Sequence, residues 1–109
     1  MDLTQKKCKP CEGGTPPLDE AKVKEYLSQL KTHWEVVENK KIRREFVFKD
    51  FVEAMKFVNK IAGVAEEEDH HPDIHIFYKK VVIELWTHAV GGLSENDFIV
   101  AAKIEQVAD

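Results

Sequence analysis

Four of the five histidines, His70, His71, His75 and His88, stand in the second half of the chain, and the first two are adjacent. Imidazole titrates near pH 6.5, so two neighbouring rings can deliver one proton and remove another at neutral pH, as general acid/base chemistry requires. Two plainer readings share this spacing. Next to the acidic turn Glu66-Glu67-Glu68-Asp69, adjacent histidines can be exposed polar residues and nothing more. His71 and His75 also stand four apart, which on a helix would serve zinc. Pro72 and the alternation of Ile74 and Ile76 make this segment a strand, where that spacing separates the rings by roughly 13 Å, too far for one ion. The single CxxC at Cys8-Lys9-Pro10-Cys11 supplies only part of a zinc site, and no strand-to-helix context follows it as in thioredoxin-like pairs, so free thiols are expected.

The elements that position these residues follow from apolar spacing. Residues 1–17, with Pro10, Gly13, Gly14, Pro16 and Pro17, form an arm expected to be flexible and without regular structure; residues 18–109 form the domain. From Asp19 to about Lys31, Val23, Tyr26, Leu27 and Leu30 recur on one helical stripe. Trp34 to Val37 and Ile42 to Phe48 are β-branched and aromatic runs joined through Glu38-Asn39-Lys40, a hairpin. Asp50 with Glu53 resembles a capping box, and Phe51, Ala54, Met55, Val58, Ile61, Ala62 and Ala65 continue helically for about four turns. After Pro72, Ile74 to Tyr78 and Val81 to His88 read as two further strands, and beyond Gly91-Gly92 a helix begins at Ser94, with Asp97 three residues on. The order αββαββα predicts an α+β fold: a four-stranded antiparallel sheet with three helices packed on one face.

Composition narrows the class of function. With 109 residues there is room for one core, and the 43% hydrophobic and 33% charged fractions are those of a soluble protein. No apolar run approaches the roughly 20 residues that cross a bilayer. The 16 basic and 20 acidic residues are interspersed, which argues against direct nucleic-acid binding. Met1 to Lys7 lacks the apolar stretch of a secretory signal, so a cytoplasmic location is expected, with the nucleus also open.

One set of residues goes further. Glu66, His70-His71-Pro72-Asp73, Tyr78, Trp86-Thr87-His88 and Gly91-Gly92-Leu93-Ser94-Glu95-Asn96-Asp97 resemble the signature of the pterin-4a-carbinolamine dehydratases. The resemblance runs from about Leu18 to Ile104 and includes Trp34. It implies a lyase that dehydrates 4a-hydroxytetrahydrobiopterin to quinonoid dihydrobiopterin in tetrahydrobiopterin regeneration, without metal or other cofactor. It also implies that His70, His71 and His88 are catalytic and that Glu66, Pro72, Asp73, Trp86, Thr87 and Asp97 bind substrate. His71 is expected to be the principal acid/base, with His70 and His88 assisting. Asp97 can equally be a helix cap. Ile74 departs from the tryptophan of the animal members; with His75 and Asn96 it suggests the subgroup of microbes and plants.

The resemblance further implies a homotetramer, a dimer of dimers in which pairs dock through helices, with Phe51, Met55 and Val58 as contacts and core packing as their rival role. The alternative function is a non-catalytic partner, a transcriptional coactivator or assembly factor, binding through the second helix. Intact His70, His71 and His88 speak against the assembly-factor reading.

Overall fold

A computed structural model describes residues 2–10 and 14–108. In chain order it contains helix α1 (Glu20–Leu27), strands β1 (Glu35–Val37) and β2 (Lys41–Val47), helix α2 (Phe51–Glu68), strands β3 (Asp73–Phe77) and β4 (Lys80–Leu85), and helix α3 (Glu95–Ala108). The α+β architecture is the expected one: four antiparallel strands in the order β1-β2-β4-β3, with three helices.

Register decides which face is covered. Ile42 lies opposite Leu85 and Phe46 opposite Val81, and these four, with Ile83, join Phe57, Ile61, Phe98 and Ile104 of the helices in one core. Each such side chain contributes about 1.5–3 kcal/mol on leaving water. The other face carries most of the charge, beside Val82: Arg43 contacts Glu45 at 3.1 Å, and Lys41 contacts Glu84 at 3.2 Å. Trp34, almost wholly buried, meets Phe46 edge-on, and its indole N–H donates to Glu105 on α3 at 3.2 Å.

Several boundaries differ from the expected ones. Helix α1 stops at Leu27 rather than near Lys31. The Ser28 hydroxyl donates to the Glu25 carbonyl at 2.6 Å, and the next two N–H groups reach back only three residues, which closes the helix. Glu66, Glu67 and Glu68 are the last turn of α2, so the acidic turn reduces to Asp69. Strand β4 ends at Leu85, and His88 opens a 3-10 turn, His88–Val90, instead of lying on a strand. In the arm, where no regular structure is expected, Leu3–Gln5 form a 3-10 turn, and Leu3 is buried in the core.

Candidate active site

The end of α2 presents the paired histidines. Asp69 adopts the left-handed conformation (φ 51°, ψ 41°), and its N–H and that of His70 both donate to the Ala65 carbonyl, which terminates the helix. Pro72 then biases His71 toward extended backbone, and β3 starts at Asp73. His70 and His71 therefore occupy the middle of a four-residue passage, Asp69 to Pro72, between helix and sheet.

Each ring is held by a different carboxylate. His70 Nε2 lies 2.7 Å from Oδ1 of Asp97, whose side chain has no exposed surface; His71 Nε2 lies 2.6 Å from Oε2 of the exposed Glu66. A carboxylate offers only acceptors, so in both pairs Nε2 carries the proton and Nδ1 remains the site of exchange. Asp97 does more than receive His70. Its Oδ2 accepts from Thr87 Oγ1 and from the Ser94 N–H, both at 2.9 Å, so it also caps α3. Because the Thr87 proton is committed to Asp97, Ser94 Oγ donates to Thr87 across their 2.8 Å contact.

A third group forms where the chain leaves β4. The Trp86 indole N–H donates to Asp73 Oδ2 at 3.2 Å, and the Trp86 ring lies over His88 with centroids 3.7 Å apart. Thr87, between Trp86 and His88, links this group to Asp97. The reversal that places His88 depends on two glycines. Gly91 takes a positive φ of 69°, and Gly92 packs so closely that a Cβ there would stand 2.8 Å from Cβ of Pro17.

Beside His70 and Thr87 opens a cleft of about 530 Å³, whose lining also includes Cys8, Lys9, Pro10 and Asn96. Its lining includes neither His71 nor His88, both of which are exposed. His75 stands apart from the paired histidines and shares Glu84 with Lys41. Among the described residues, no three His, Cys, Asp or Glu side chains gather to hold a metal ion. Cys11 lies outside the described residues. Burial, reinforced by the charge of Glu68, pushes the Cys8 thiol up to about 12, which leaves it a weak nucleophile and a poor ligand.

Sequence reasoning missed the supports of this site. Glu68 is buried and bonded to Lys103 Nζ at 2.6 Å and to the Cys8 N–H at 2.9 Å. Glu105 accepts from the N–H groups of Lys31 and Thr32 and from the Thr32 hydroxyl. These partners stand far apart in sequence, and no local pattern marks them. Asn96, which the sequence marks as part of the signature and of the subgroup, also has a usable signal in its place on the first turn of a helix.

The pterin 4 alpha carbinolamine dehydratase family matches residues 16–107. A provisionally named pterin-4-alpha-carbinolamine dehydratase of Nitrosomonas europaea is 52% identical over 106 residues, which are 97% of this chain and 93% of that protein. A similarly named protein of Rickettsia canadensis is 48% identical over 94% of each chain. Among solved structures, a transcriptional coactivator/pterin dehydratase from Brucella melitensis superposes with a TM-score of 0.79 at 36% identity, over 85% of this chain and 99% of that one. A pterin dehydratase-like RuBisCO assembly factor of the alpha-carboxysome shares the fold, with a TM-score of 0.61 at 21% identity over 72% and 92% of the two chains.

Proposed function

The chain belongs to the pterin 4 alpha carbinolamine dehydratase family, and we propose that it is a working dehydratase, converting 4a-hydroxytetrahydrobiopterin to quinonoid dihydrobiopterin and water. The observation that carries this reading is the pair of adjacent imidazoles, each tied through Nε2 to its own carboxylate at 2.7 and 2.6 Å. In the reaction the C4a–O bond breaks as a proton reaches the leaving oxygen, and a proton leaves a ring nitrogen whose electron pair completes the new double bond. One donor and one acceptor are needed: His71, as the imidazolium, gives its Nδ1 proton to the leaving oxygen, and His70, neutral, takes the proton of the ring nitrogen at its bare Nδ1. His71, whose partner Glu66 is solvent-exposed, is the principal acid/base and exchanges protons with water. His70, anchored by buried Asp97, assists, as does His88 against Trp86. Glu66, Pro72, Asp73, Trp86, Thr87 and Asp97 shape and orient the pterin site, and no cofactor takes part. The test is turnover of chemically generated 4a-hydroxytetrahydropterin against its spontaneous dehydration. Acceleration that disappears in His71→Ala supports the reading, and a rate equal to the spontaneous one overturns it.

An exposed apolar end supports a homotetramer and is also the surface for the alternative reading as a protein partner. Val47, Val52, Phe77 and Tyr78 are each about three-fifths exposed or more, and Phe51 nearly half, around the start of α2 and the β3–β4 turn. Binding that persists in His71→Ala would favour the partner reading over catalysis.

A further inference from the structure

Residues 2–10 of the arm lie outside the family-matched span, yet they are fastened to the elements that hold His70. Leu3 sits in the core. Lys6 Nζ meets Glu95 at 2.7 Å, and the Cys8 N–H meets Glu68, two residues before His70. The Asn96 amide grips Lys9 twice, accepting from its N–H at 3.0 Å and donating to its carbonyl at 2.6 Å, as a neighbouring strand would. Glu95, Asn96 and Asp97 are consecutive on the first turn of α3, so one turn fixes Lys6, Lys9 and His70 together.

We propose that residues 8–10 are a built-in wall of the pterin cleft and that Asn96, as a positioning residue, makes this wall a determinant of which pterins enter. The inference rests on the dehydratase reading. The cleft is lined by Cys8, Lys9 and Pro10 of the arm together with His70 and Thr87. In the substrate, the reacting nitrogen is bonded to the carbon that carries the pterin side chain. With His70 as the ring that takes this nitrogen's proton, the arm residues that share its cleft stand near that substituent, and their position limits the bulk that fits.

The experiment uses the full chain with Cys11→Ser, so that Cys8 is its single thiol, and compares Asn96 with Asn96→Ala. Held in place, Cys8 is half-buried with its pKa raised; release of the strap should raise its labelling rate by a maleimide several-fold. In parallel, kcat/KM is measured for 4a-hydroxytetrahydropterins with no substituent and with a bulky one at that carbon. We expect the ratio of bulky to unsubstituted to rise by about tenfold in the variant, with the change in KM and not in kcat for the unsubstituted substrate. Should Asn96→Ala fail to fold, Lys9→Pro removes the same N–H from the opposite side. Faster labelling with an unchanged ratio overturns the proposal, and so does unchanged labelling, since Asn96 would then not hold the strap. Absence of turnover with either pterin in the parent protein would instead sink the dehydratase reading itself, while the labelling comparison still reports on the strap.

Discussion

At the scale of residues, the site is a set of imidazoles whose orientation is fixed by acids from other elements. His71→Ala is expected to lower turnover at least about 10²-fold with the circular dichroism spectrum unchanged, the range for a lost general acid/base. His70→Ala and His88→Ala should lower it less, and a wild-type rate in the His71 variant would remove that ring from the mechanism. A second expectation concerns Glu68. Burial acts to raise its pKa, but the bonds from Lys103 and the Cys8 N–H outweigh it, and the carboxyl ionises below its ordinary 4.5. A lowered pKa stabilises the fold fully above the ordinary value, and this contribution is lost as pH falls through the folded value. Urea midpoints should therefore show wild type ahead of Glu68→Gln at pH 7, with the gap closing as pH drops below about 4.5. A gap independent of pH would contradict the ionised pair.

Elements were legible from the sequence to different depths. The spacing of Ile42 and Phe46 and of Val81, Ile83 and Leu85 announces strands with one covered face, and that is what forms. Helix α2 was equally plain, yet its inward face was not. The apolar stripe named Phe51 and Ala62, which are exposed, and omitted Phe57, which stands at the centre of the core beside Phe46 and Phe48. Apolar residues cover more than one side of this helix, so periodicity alone cannot say which side meets the sheet. His88 reads as part of a strand because Trp86-Thr87-His88 has β-like composition; the turn that forms instead is set by Gly91 and by the bond from the Thr87 N–H to the Gly92 carbonyl. The adjacency of His70 and His71 was visible, but the route from His70 through Asp97 to Thr87 exists only once α3 packs against α2. These turns have a testable consequence. Gly92→Ala places a methyl against the rigid ring of Pro17 and should lower stability by about 1–3 kcal/mol in urea unfolding. An unchanged midpoint would mean that the two segments separate freely.

At the scale of the molecule, a single layer of helices on one sheet leaves an apolar end uncovered, and self-association is the expected remedy. Light scattering should give a tetramer at micromolar concentration, and Phe51→Glu, at an exposed position, should give smaller particles that remain folded and active. A monomeric wild type would dismiss the assembly. Exhaustive chelation should leave turnover intact, whereas loss with EDTA and recovery with zinc would require a metal site that the histidine spacing does not provide. The central claim is that two adjacent, carboxylate-bound imidazoles dehydrate a pterin. It is tested most directly by following 4a-hydroxytetrahydropterin, generated in the cuvette, in the presence of wild-type protein, of His71→Ala, and of buffer alone. We expect wild type to remove the carbinolamine far faster than buffer and His71→Ala to fall at least about 10²-fold below wild type; loss of the carbinolamine at the buffer rate in all three would contradict the account.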